Sequence, residues 1–247
     1  MHTSNSPAVG HEERDRNEAA FHDARIDDDG RKLGYAYASV KDLFGFTIVP
    51  REYMHGRVLE LGCFRGIRAL AMNGFQGRYT GIDISPAAVD HCKGLGLPAN
   101  FEFRVDNANA LATVGDGEVD YAFGDGVLHH LDLASMAPAL ARKLSPNGCA
   151  RFVEPAQGNF LLRMFRKLTP HLRTPDEHPF DRASIELLQR HFNVAIIHEA
   201  LLRPLLPMLC FNSAWSTNVA RRLDKWLLRH AFFQQQAWLL LIELRKR

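Results

Sequence analysis

The chain has 247 residues, which at roughly 150 residues per domain favours one decorated domain over two. Apolar residues make up 46% and charged residues 23%, with 18 Gly and 12 Pro, a balance that excludes collagen-like, low-complexity and wholly disordered chains. Thirty Lys and Arg against 28 Asp and Glu leave a net charge of +2, so the whole-chain charge gives no reason to expect nucleic acid as a partner.

That figure hides opposed ends. Residues 1–30 hold three basic and eight acidic residues, net −5; residues 31–200 carry +1; residues 201–247 hold eight basic and two acidic, net +6. The arm and tail could attract each other, within a chain or across a dimer, or the tail could meet an anionic surface. Cysteines at 63, 92, 149 and 210 form no CxxC pair, and the polar N-terminus has no apolar leader, so a reduced, cytoplasmic protein is expected. No run of 18 apolar residues occurs, as a membrane-spanning helix would need.

In chain order, residues 1–50 read as an N-terminal arm and lid, with one short helix around 12–25. From residue 51 to residue 247 a single domain is expected. Its short apolar runs RVLEL, YTGID, FEFRV, VDYAFG and CARFVE alternate with helical segments, the mark of an α/β fold with a parallel sheet. The crossover helices are expected at 66–72, at 86–93 with Ser85 as N-cap and Pro86 first in the helix, and at 133–144, with a short turn near 107–111. Ser145 to Gly148 should turn the chain into the fifth strand. Residues 155–181, with four prolines, form a first insertion. A helix at 182–191 and a strand at 193–199 follow, then a second insertion at 201–236 and a last apolar strand at 237–244.

The stretch Val58 to Gly66 runs from an apolar strand into a glycine-containing turn and then a helix. Such a turn lets a ligand approach the backbone and meet helix N–H groups, although glycine there can also serve the turn alone. Glu60, Asp83 and Asp106 recur every 23 residues, each at the carboxyl end of an expected strand, and open α/β sheets bind ligands along that edge. Asp83 is placed to accept hydrogen bonds from a ribose diol. Asp106 with Asn107 suits the amino group of a purine, or Asp106 caps the next turn.

Taken together, VLELGCFRG, GIDIS, FRVDNANAL, VDYAFGDGVLHHL and LSPNG before ARFVEP resemble the successive motifs of class I S-adenosylmethionine-dependent methyltransferases of the small-molecule type, over about residues 57–154. The resemblance implies a Rossmann-like, seven-stranded, mostly parallel sheet with helices on both faces and an antiparallel last strand. It implies S-adenosyl-L-methionine as cofactor, with Glu60, Gly62, Cys63 and Gly66 around its methionine portion. Asp83 would hold the ribose, Ile84 would lie on the adenine, Asp106, Asn107 and Ala108 would meet the adenine edge, and Gly124, Asp125 and Leu128 would line the sulfonium. Phe64 stands where the family has glycine. A NAD-dependent oxidoreductase is the alternative, but it wants G-x-G-x-x-G and the glycines are Gly62 and Gly66. A non-catalytic or membrane-surface binding protein of the same fold is another.

His129 and His130 follow the fourth strand and are the candidate general bases for methyl transfer to a small-molecule acceptor at oxygen, though either could merely pack. Tyr35, Tyr37, His171, Arg173 and His178, with Glu177, are candidates to contact the acceptor, or else surface and packing residues. No metal-ligand spacing is present. Residues 215–233 combine an aromatic stripe with Arg and Lys. It is read first as core or dimer packing, and second as peripheral membrane contact or a surface for a lipid-like acceptor.

Overall fold

The computed structural model describes residues 11–23, 38–156, 158–160, 164, 180–206 and 213–247. Seven strands form one sheet: β1 Arg57–Leu61, β2 Arg78–Asp83, β3 Phe101–Val105, β4 Val119–Asp125, β5 Leu144–Pro155, β6 Phe192–Glu199 and β7 Leu239–Lys246. Their order is β3-β2-β1-β4-β5-β7-β6. The first five pair in parallel and β7 runs antiparallel between β5 and β6. This is the Rossmann-like sheet with an antiparallel last strand that the motif order implies.

Side-chain alternation along the strands divides the core. Leu59, Leu61, Ile82 and Ala122 face one side, where they pack with Leu133, Met136 and Leu140 of helix α4 (Leu133–Lys143) and Leu188 of α5 (Arg182–Gln189). Val58, Tyr79, Tyr121 and Phe123 face the other, against Ala69 of α2 (Ile67–Leu70) and Val89 and Cys92 of α3 (Pro86–Lys93). Period-two strands feeding amphipathic helices on each face account for this three-layer arrangement. Ser85 caps α3 as expected, its Oγ accepting from Ala88 N at 3.0 Å.

Residues 38–47 wind into a 3₁₀ segment and press Val40 and Leu43 onto Val153, Leu239 and Leu241, so this part of the expected arm packs on the sheet. The arm helix α1 covers His11–Asp23 and lies against α3. The expected turn at 145–148 is instead absorbed within β5. There the pairing passes from Val119↔Leu144 to Tyr121↔Cys149, so three extra residues bulge out of the ladder without ending the strand. The first crossover helix shrinks to one turn, because Gly66 enters it in the left-handed region (φ 66°). The segment 215–233 forms two helices, α6 Ala214–Leu227 and α7 Ala231–Gln234.

Candidate active site

At the carboxyl ends of β1, β2 and β4 the chain leaves the sheet in tight loops. Both Gly62 N and Cys63 N donate to Ile82 O, at 2.9 and 3.0 Å, and Gly66 N closes the turn on Cys63 O at 2.7 Å. Gly62 has φ 73° and Phe64 φ 38°. Phe64 therefore holds the left-handed conformation that glycine adopts freely and a side chain adopts under strain. A cleft of about 770 Å³, its open mouth included, is bordered by this loop, by 82–84, 106–109 and 125–127, by His130 and Leu131, and by Asp15 and Glu18 of α1.

Of the residues singled out in the sequence, Gly62, Asp83, Ile84, Asp106, Asn107, Ala108, Asp125 and His130 line this cleft. The Asp83 carboxylate ties two loops together, accepting from Phe64 N and Ser85 N at 2.9 Å each. A carboxylate only accepts hydrogen bonds, which is what a diol ligand would require of it. Asp106 spends more of its capacity locally: it accepts from Ala112 N at 3.1 Å, Thr113 N at 2.8 Å and Thr113 Oγ1 at 2.7 Å, which caps the following turn. Asn107 donates to Asp15 Oδ2 at 2.6 Å and accepts from Asn109 N at 2.9 Å.

Glu60, Cys63, Gly66, Gly124, Leu128 and His129 lie behind the lining. Strand alternation turns Glu60 onto the Tyr79 side of the sheet, where it accepts the Tyr79 hydroxyl proton. Burial pushes the Glu60 carboxyl well above its ordinary pKa, and burial beside Glu60 pushes the Tyr79 hydroxyl up as well. Cys63 Sγ sits 4.0 Å from Cys92 Sγ in the core, and burial with that contact raises its pKa. A Cβ on Gly66 would come within 2.5 Å of Leu95 Cδ1, and one on Gly124 within 2.9 Å of Leu61 O, so both glycines serve close packing. Leu128 is a core residue. Tyr35, Tyr37, His171, Arg173, Glu177 and His178 lie outside the described residues.

Two histidine–carboxylate pairs stand side by side. His129 Nδ1 is 2.7 Å from Glu154 Oε2, while Glu154 Oε1 accepts from Val127 N at 2.9 Å and Leu128 N at 2.8 Å. Glu154 is fully buried, so one carboxylate at the end of β5 fixes the loop after β4. His130 Nδ1 lies 2.8 Å from Glu18 Oε1, and the two imidazole rings are 4.1 Å apart. Asp125 meets Arg68 and accepts from Thr47 Oγ1 at 2.8 Å; Arg68 also donates to Phe44 O at 2.9 Å. Burial raises the Asp125 pKa, and Arg68 opposes that shift.

Sequence reasoning missed Arg68, Thr47, Glu154, Asp15 and Glu18, whose partners are remote in the chain. The ARFVEP motif did mark Glu154, as a strand end without a role. The cleft is acidic, with Asp15, Glu18, Asp83, Asp106 and Asp125 around the single imidazole of His130, a lining that suits a cationic ligand.

Residues 58–148 match the family model described as a methyltransferase domain. The chain carries a methyltransferase domain. A search of the curated proteins found no match. Among solved structures, the chain is similar to geranyl diphosphate C-methyltransferase from Streptomyces coelicolor A3(2), a structure holding Mg2+, geranyl diphosphate and S-adenosyl-L-homocysteine. The TM-score is 0.66 at 13% identity, covering 98% of this chain and 100% of that one. It is similar also to a phosphoethanolamine N-methyltransferase of Haemonchus contortus (TM-score 0.61, 15% identity, 98% of this chain and 61% of that one). A third is a possible histamine N-methyltransferase from Thermotoga maritima (TM-score 0.64, 13% identity, 93% and 100%). The methyltransferase domain accounts for β1 to the start of β5, and the fold for the rest.

Proposed function

We propose that the chain is an S-adenosylmethionine-dependent methyltransferase acting on a small-molecule acceptor, and that the acceptor atom is oxygen. The cofactor fits the residues present: an acidic cleft, the Asp83 carboxylate on its wall, and Gly62 in the left-handed turn beside it. When bound, it supplies an electrophilic methyl group on a sulfonium. The protein's part is then to align the acceptor, exclude water and take a proton.

The observation that supports oxygen is the His130–Glu18 pair on the cleft wall. A carboxylate beside the ring favours the imidazolium by its charge, and Nε2 is the nitrogen that would receive a hydroxyl proton. His129, locked to Glu154 behind the wall, positions its neighbour. Calorimetry with S-adenosylhomocysteine tests the cofactor; no heat from a folded sample refutes it. Across a panel of hydroxyl and amine acceptors, His130→Ala should lose about 10²–10⁴-fold in turnover, the usual worth of a general base, while S-adenosylhomocysteine affinity holds.

A second reading rests on Asp15 and Glu18, which add two carboxylates to the cleft from α1 and would suit an amine acceptor. The similar proteins named above bear the names of carbon and nitrogen methyltransferases, one of them a possible one, and fold alone does not choose the atom. In that case Glu18→Gln raises KM for amines while His130→Ala stays active.

A further inference from the structure

The sequence pattern of α6 suggests a buried stripe, yet the structure turns it outward. Trp215 is 75% exposed, Trp226 57% and Phe232, in α7, 70%. Val219 and Leu223 are exposed with them. At about 100° per residue, Trp215, Val219, Leu223 and Trp226 fall within an arc of about 80°. The opposite face carries the helix's buried residues, Ala220 and Asp224.

The charges around this face have one sign. Asp224 is the sole acidic residue from 213 to 236, and it is fully buried. It accepts from Leu202 N at 2.7 Å and meets Arg203 Nε at 3.4 Å. Arg222, Lys225 and Arg229 are exposed beside the stripe. Lys225 and Arg229 also border an open hollow between α6 and β6, with His198 and Glu199. An outward stripe of Trp, Leu and Val whose exposed charges on the helix itself are all basic is the composition of a helix lying in a lipid headgroup layer, where indole rings anchor and anionic lipids attract the basic edge.

Topology sets the direction. β6 and β5 both run antiparallel to β7, so β6 ends at Glu199 on the sheet edge that carries the cleft. Buried Arg203, just beyond, joins Glu199, Asp224 and Asp42. Asp42 belongs to the segment whose Thr47 reaches Asp125 at the cleft. The helix is thereby fixed to the same end of the molecule as the site.

We propose that the face of α6 bearing Trp215, Val219, Leu223 and Trp226 docks on an anionic lipid surface. The full chain is mixed with vesicles of phosphatidylcholine alone or of phosphatidylcholine with phosphatidylglycerol, and followed by co-sedimentation and Trp fluorescence. At least tenfold stronger binding to the anionic vesicles is expected, with a blue shift, and its weakening near 1 M salt, where the Debye length is about 3 Å. Trp215→Ser with Trp226→Ser, and separately Lys225→Glu with Arg229→Glu, should each weaken binding at least tenfold at unchanged circular dichroism. If the tryptophan variant fails to fold, the charge variant decides. No binding to either vesicle, equal binding to both, or binding that survives both variants overturns the proposal. So does a homodimer split by the tryptophan variant without any vesicle binding, which assigns the face to a second copy.

Discussion

Glu154 bears most of the structural demand at the site, and its replacement separates two roles. Its Oε1 accepts the N–H groups of Val127 and Leu128, and its Oε2 meets His129 Nδ1. Glu154→Ala leaves the buried Leu128 N–H and the partly buried Val127 N–H without an acceptor, the former worth about 1–3 kcal/mol and the latter less, and opens a void in a fully buried place. The sum is about 3–5 kcal/mol of lost stability, together with release of the loop that carries Gly126 to His130. Glu154→Gln keeps an oxygen for the two N–H groups and turns an amide donor toward His129, which the ring accepts by carrying its own proton on Nε2. That variant should lose only about 1 kcal/mol but change the imidazole tautomer. Urea unfolding followed by circular dichroism gives both figures, and calorimetry with S-adenosylhomocysteine shows whether the loop has moved. An Ala variant within about 1 kcal/mol of the parent, or a Gln variant as damaged as Ala, would refute the reasoning.

Glu60→Gln should stabilise the fold at pH 8 and do so much less at pH 5. A carboxyl whose folded pKa is raised, as burial raises that of Glu60, lends stability below its unfolded pKa that is lost as pH rises through the folded value, and thermal melts at the two pH values read the difference. Arg203→Met removes the cation shared by Asp42, Glu199 and buried Asp224. The expected loss is about 3–5 kcal/mol, roughly 10 °C in Tm for a chain of this size; a shift under about 2 °C would contradict it. Phe64→Ile places a β-branched residue at φ 38° and should destabilise by about 1–2 kcal/mol, whereas Phe64→Gly should stay within about 1 kcal/mol of the parent because relieved strain offsets glycine's chain entropy. Denaturant titration of both tests the pair.

What the sequence made legible was what local chemistry sets. Alternating apolar runs placed all seven strands within a few residues, and Ser85-Pro86 marked a helix start, because these signals lie inside the element they specify. The spacing of Asp83 and Asp106 brought both to the cleft, since strand ends in a parallel sheet share an edge. Bonds made across the sheet were not legible. The cap that Asp106 places on the following turn, through Thr113, was by contrast one of the two readings its sequence position offered. That Glu60 looks at Tyr79 depends on the facing of β1 against β2. The left-handed Phe64 shows both sides of this: the motif pattern flagged it as out of place, and only the backbone shows that the loop keeps the glycine conformation regardless.

The stripe in α6 shows why periodicity alone misleads at the surface. A 3.6-residue repeat of large apolar groups states that one face avoids water, and says nothing of what covers it. Helices α2 to α5 and the 38–47 segment pack on the faces of the sheet, and the helix after β6 buries only Ala220, Asp224 and, just past its end, Leu228. It is held by charge instead: Asp224, on its inner face, binds Arg203 and the Leu202 N–H. A helix anchored through a buried ion pair with its tryptophans outward inverts the usual arrangement of apolar inside and polar outside. Such an outward apolar face costs free energy in water that contact with an apolar neighbour offsets, which is the physical ground for testing a lipid surface against it.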